Sequence, residues 1–162
     1  MIDYEVQRST RHCAITGREL QPGETFYSTL TSEGSQVIRR DYAAETWQGP
    51  PEGVIGWWKS QVAQRDARKI HWAPNEVMLD LLESLKSQSD KQDMRYVLAL
   101  LLIRRRVVRL EESTTDDQGR ELSVLYCPRR EAEFRVVTSM PSNERIAEIQ
   151  EELARLLIAN AS

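Results

Sequence analysis

Apolar residues are concentrated most heavily in Tyr96 to Ile103, an unbroken apolar and aromatic run closed by Arg104, Arg105 and Arg106. An amphipathic surface helix interrupts such a run with polar positions every second or third residue, so the pattern predicts a helix buried on all sides, with the other elements packed around it. Crossing a bilayer takes about 20 apolar residues, which makes this run a core element rather than a membrane span. An acidic replacement at Leu100, in its middle, is expected to unfold the domain.

On the N-terminal side the periodicity is that of strands. Tyr4 to Arg8 alternate, and Thr25 to Thr31 and Gln36 to Tyr42 are rich in β-branched and aromatic residues. Turn residues at Gly17 to Gly23 and Glu33-Gly34-Ser35 separate them, which predicts a small antiparallel sheet within residues 1–42. Gly49-Pro50-Pro51 and Gly53 then break regular structure, a short helix is expected near Val54 to Ala63, and the charged segment Gln64 to Lys69 reads as an internal hinge.

Helical spacing follows. Asn75 is placed to cap a helix carrying Val77, Met78, Leu81, Leu82 and Leu85, and Asp90 to cap the central one, with Asp93 in its first turn. The short joint Lys86 to Ser89 predicts an antiparallel helical hairpin within 43–106. Beyond Arg106, Val107 to Leu110, Leu122 to Cys127 and Phe134 to Val137 predict a β meander over 107–140. In 141–162, Ser142 or Asn143 caps an amphipathic helix with Ile146, Ile149, Leu153, Leu156 and Leu157 on one stripe and Glu144, Glu148, Glu151 and Glu152 elsewhere. The expected fold class is α+β: a small antiparallel N-terminal sheet, a central helical hairpin, a C-terminal β meander and an amphipathic helix, in a single domain spanning 1–162.

Composition agrees with that reading. A chain of 162 residues with 29% charged and 40% hydrophobic residues can bury a core without staples. A net charge of -3 supplies no general attraction to nucleic acid, so any such binding needs a local patch. MIDYEVQRST lacks the apolar stretch of a secretory signal, which points to the cytoplasm, where Cys13 and Cys127 are expected as buried thiols.

Two short patterns carry candidate chemistry. Cys13-Ala14-Ile15-Thr16-Gly17-Arg18 has the shape of a zinc knuckle with Thr16 where a second thiolate would stand, and Cys127-Pro128-Arg129-Arg130 opens a second knuckle, again with one cysteine. Cys13 and Cys127 are therefore the candidate metal ligands and zinc the one cofactor the pattern admits, with His12 and His71 the remaining ligand types. The simpler reading is a metal-free knuckle in which Thr16 bonds local amides. A thiol enzyme built on Cys13 would need His12 as its base, and adjacent side chains diverge in a strand. No Ser-His-Asp set, phosphate loop or HExxH helix is present, so no catalytic residue is assigned.

Arg104, Arg105, Arg106 and Arg109, enlarged by Arg129 and Arg130 and with Lys91 and Arg95 upstream, form the candidate partner-binding surface. The competing explanation is that cations at a helix C-terminus complement its dipole. Trp47, Trp57 and Trp58, with Lys59, Arg65, Arg68 and Lys69 nearby, would stack on a base or ligand ring if exposed and plug the core if not; Trp72 is expected in the same cluster.

The segments Cys13 to Leu30 (CxxTGRxLxPGExFYSxL), Trp47 to Ser60, Ala73 to Glu83 and Arg95 to Arg106 together resemble a family of bacterial proteins of unknown function, and the Cys13 segment resembles half of a zinc ribbon. That resemblance implies no activity and marks no catalytic residue. The zinc-ribbon likeness implies contacts with protein or nucleic acid. The function expected is a non-enzymatic intracellular interaction or accessory module with a protein partner. The alternatives are a zinc-dependent nucleic-acid-binding module and a small thiol enzyme.

Overall fold

A computed structural model describes residues 11–62 and 71–158. The strand expected at Tyr4 to Arg8 and the hinge at Gln64 to Lys69 lie outside the described residues. The fold is α+β, with two antiparallel three-stranded sheets and three α-helices among the described residues. The chain divides into two compact units, Met1–Val77 with Leu153–Ser162, and Met78–Glu152. It passes from one to the other within a helix each time.

In the first unit, β1 (Thr25–Glu33), β2 (Gln36–Ala43) and β3 (Val54–Gln61) form a sheet in the order β2-β1-β3. Tyr27 stands opposite Tyr42 and Lys59, and Ser28 opposite Asp41 and Trp58. Period-two alternation therefore gives the sheet one face with Phe26, Ser28, Leu30, Asp41 and Trp58, and another with Tyr27, Thr29, Tyr42, Trp57 and Lys59. The helix expected near Val54 to Ala63 is strand β3 instead. Val54, Ile55, Trp57 and Trp58 are all good strand formers, and β3 supplies the second hydrogen-bonded neighbour of β1, a long-range pairing that local spacing does not display. Gly56 brings this strand close to the helix that follows. A Cβ there would stand 3.0 Å from Cγ1 of Val77.

Ahead of the sheet, the Cys13 segment closes a tight loop: the Cys13 N–H donates to the Arg18 carbonyl and the Gly17 N–H to the Cys13 carbonyl, both at 2.8 Å. Gly17 has φ 74°, a left-handed conformation suited to glycine. Cys13, Leu20, Phe26, Ala43 and Val62 make one buried cluster.

The second unit begins within α1 (Asn75–Ser84), continues through 3-10 turns at Leu85–Ser87 and Ser89–Lys91 into α2 (Gln92–Arg104), and then forms a meander of β4 (Arg109–Thr115), β5 (Glu121–Cys127) and β6 (Ala132–Val137). α3 (Asn143–Leu157) starts here and ends in the first unit. Ser142 caps it, its hydroxyl accepting the Arg145 N–H at 3.2 Å. Ile149, Leu153, Leu156 and Leu157 are buried, as the apolar stripe predicted. Among the described residues no helix is long and apolar enough to cross a membrane.

Two expectations are corrected in α2. Asp90 does not cap it: Asp90 lies in the second 3-10 turn, and the helix starts at Gln92 after Lys91, with no side-chain cap. Gln92 makes the joint instead, its Nε2 donating to the carbonyls of Gln88 at 2.7 Å and Leu85 at 3.2 Å. Nor is the helix buried on all sides. Met94, Val97, Leu98, Ala99 and Leu102 are buried, whereas Leu100 is 37% exposed. One sheet and its neighbouring turns cover only part of a helix's circumference, and an apolar sequence does not create a second layer. Leu98 and Leu102 are fully buried, whereas an acidic residue at Leu100 would meet solvent over part of its surface.

The helix ends in a Schellman arrangement. The Val107 N–H donates to the Leu102 carbonyl at 3.0 Å and the Arg106 N–H to the Ile103 carbonyl at 2.9 Å, with Arg106 at φ 60° where glycine is usual.

Candidate interaction surface

The tyrosine-bearing face of the first sheet carries a cluster of aromatic rings. The β2–β3 connection has to span the width of β1, and Trp47, within it, lies parallel on Tyr27, ring centroids 4.6 Å apart and planes 3° from coplanar. Trp57 tilts against both, at 6.2 Å from Tyr27 and 5.7 Å from Trp47, and Tyr42 meets Trp47 at 5.5 Å. These are the offset and tilted geometries that aromatic quadrupoles favour. Tyr27, Tyr42 and Trp47 are half-buried, but Trp57 is 43% exposed.

The charges on this face are few. The Lys59 ammonium lies 6.0 Å from the Tyr27 ring centroid. Arg40 donates to Glu33 at 2.8 Å and to the Thr31 hydroxyl at 3.2 Å. The Thr29 hydroxyl, between Arg40 and Trp57 in register, is buried and has no hydrogen-bond partner among the described residues.

The opposite face holds a buried polar network that sequence reasoning missed. Asp41 accepts from Arg39 at 3.1 Å, from Arg11 at 3.2 Å, and from the Ser28 hydroxyl. Both guanidiniums then reach the Ile158 carbonyl beyond α3, Arg39 at 2.6 Å and Arg11 at 3.0 Å. Cations thus close the negative end of that helix. Arg39 also lies over the Trp58 ring at 5.0 Å. Burial pushes its pKa down to about 10, against the opposing pull of Asp41. Trp57 and Trp58, neighbours in sequence, therefore serve opposite faces, and Trp72 bridges to Ile158 through its backbone.

Cys13 and Cys127 are both free, buried thiols. Burial pushes Cys13 up, but its hydrogen bonds with the Thr46 hydroxyl, the Ala43 N–H and Thr16 outweigh it and lower the thiol to about 6. Its Sγ is 3.4 Å from Thr46 Oγ1 and 3.4 Å from the Ala43 nitrogen. Cys13 is 2% exposed. His12 is exposed on the bridge to Glu19. Among the described residues no group of three His, Cys, Asp or Glu side chains could hold a metal ion.

The arginines of the candidate basic surface differ in their surroundings. Arg95 is buried. Arg109 pairs with Glu111 at 2.8 Å and lies over the Tyr126 ring at 5.1 Å, and Arg130 pairs with Asp80 at 2.9 Å. Arg104, Arg105 and Arg106 are exposed at the end of α2, and Arg129 is exposed in the β5–β6 turn. Tyr27 and Tyr42, which the sequence reading did not single out, become visible only once Val54–Gln61 is a strand beside β1. No family model, curated protein or solved structure matches the chain.

Proposed function

We propose that this protein is a non-enzymatic interaction module and that the aromatic face of its first sheet docks an exposed apolar segment of a protein partner. The observation that carries the reading is Trp57, a large ring left 43% exposed at the edge of a cluster whose other members are held in place. Rigid, partly exposed aromatics lose little conformational entropy on binding and dominate contact energies.

The charges favour protein over nucleic acid. A single-strand binder lines its stacking platform with cations that follow the phosphates. On this face Arg40 is engaged by Glu33, and Lys59 is the one cation that no carboxylate accompanies among the described residues. The test is capture from the native cell by wild type and by Trp57→Ala, followed by titration of the identified partner with both. The expected result is a partner bound by wild type and lost, by about tenfold or more, in the variant. Equal binding by both removes the aromatic face from the function. Salt-sensitive binding of single-stranded oligonucleotides that depends on Trp57 would replace protein with nucleic acid as the ligand.

A further inference from the structure

The aromatic face of the first sheet offers polar groups as well as rings. Trp47 lies flat on Tyr27, so these two close on each other, while Trp57 beside them is left 43% exposed. The phenol hydroxyls of Tyr27 and Tyr42 and the indole N–H groups of Trp47 and Trp57 form no hydrogen bond among the described residues. Lys59, two residues beyond Trp57 on the same side of β3, is exposed and has no carboxylate partner among the described residues. Two residues of strand set them about 7 Å apart.

Resting on the reading of this face as a protein-docking surface, we propose that its occupant is a segment in the polyproline II conformation, with an acidic residue two or three positions from the proline seated on Trp57. Proline-rich segments dock on aromatic-lined surfaces, and because they are extended before they bind, little entropy is lost. A polyproline II backbone makes no internal hydrogen bonds, so its carbonyls are free to accept from the ring-borne N–H and O–H groups. The carbonyls of a helix are spent within the helix. An added strand would pair through the backbone at the sheet edge and leave these rings unused. The charge follows from Lys59. At about 3.1 Å per residue, two or three residues of polyproline II cover the step from Trp57 to Lys59, and a carboxylate there meets the ammonium.

Fluorescence anisotropy tests it, with labelled oligoproline peptides of about ten residues bearing one central glutamate, alanine or lysine, and a Gly/Ser peptide bearing the same glutamate as the flexible control. Wild type is expected to bind the glutamate oligoproline about threefold more tightly than the alanine one, and at least about tenfold more tightly than the Gly/Ser peptide. Trp57→Ala should weaken binding about tenfold. Lys59→Glu should reverse the charge preference, so that the lysine oligoproline binds best. Both side chains are exposed, and far-UV circular dichroism checks that the variants keep the native spectrum. No saturable binding of any oligoproline up to about 1 mM overturns the proposal, and so do equal binding of the Gly/Ser peptide and a charge preference that Lys59→Glu leaves unchanged. A native partner captured through Trp57 while the oligoprolines fail removes the polyproline II occupant and leaves the docking face standing. Capture that ignores Trp57 removes the docking face itself.

Discussion

Arg95 donates its Nε to the carbonyl of Leu82 at 2.8 Å, and through this bond the first turn of α2 is tied to the last turn of α1. Its Nη1 donates at 2.8 Å to the carbonyl of Arg135 in β6, so one guanidinium joins two helices and a sheet. The side chain is 2% exposed, and burial lowers its pKa. A residue that reads in sequence as the start of a basic surface is a buried crosslink.

Replacing it removes the guanidinium donor from both carbonyls, the bond to Leu82 being buried. Arg95→Met, which preserves the length of the stem, is expected to lower stability by about 3 kcal/mol. Urea unfolding reads this as a lower midpoint with an unchanged slope. Arg104→Met is expected to change it by only about 0.5 kcal/mol.

Arg145 holds Asp93, Nε to Oδ2 2.8 Å, and the Met94 N–H donates to Oδ1 at 2.7 Å. Burial raises the Asp93 carboxyl, but these donors prevail and keep it below its usual range. A depressed folded pKa means stability that is fully present above the unfolded value, about 3.9, and is lost as pH falls through the folded one. Asp93→Asn should therefore be less stable than wild type at neutral pH by about 1 kcal/mol, since the pair is partly exposed. Unfolding midpoints measured from pH 7 downward should converge below about pH 4.

Arg106 occupies a left-handed position that costs a side chain about 1 kcal/mol and glycine nothing. Arg106→Gly is expected to raise the melting temperature by a few degrees, because the Schellman bonds to Ile103 and Leu102 need only its backbone. Arg106→Val should lower it.

For Cys13, the thiolate absorbance near 240 nm, taken as the difference between wild type and Cys13→Ala, should titrate with a midpoint at about 6. Thr46→Val should move that midpoint up. The folded value lies below that of a free thiol, so ionisation adds stability as pH rises above it, and none below. Alkylation should nonetheless be slower than for a model thiol at neutral pH, because burial controls access. Fast alkylation would revive the thiol-enzyme reading.

Much of the fold was legible in the chain. The apolar stripe Ile149, Leu153, Leu156 and Leu157 marked α3, the β-branched and aromatic runs marked β1, β2 and the meander, and the turn glycines marked the joints. Val54 to Gln61 was misread because GWW packs large apolar groups at a density that helix and strand share, and the deciding hydrogen bonds come from Thr25 to Thr31, far away in sequence. The candidate surface depended on that one element. As a helix, the segment would have grouped Trp57 with Trp58; as a strand, it separates them.

The sequence by itself determined the α+β class, the order of most elements and which stretches are apolar, because periodicity and turn chemistry are local properties. Tertiary structure alone decided direction: which side of α2 is covered, that Arg95 and Arg39 point inward to carbonyls, and that Trp57 points outward beside Tyr27. Burial is shared between segments distant in the chain, and a residue's own neighbours in sequence do not record it.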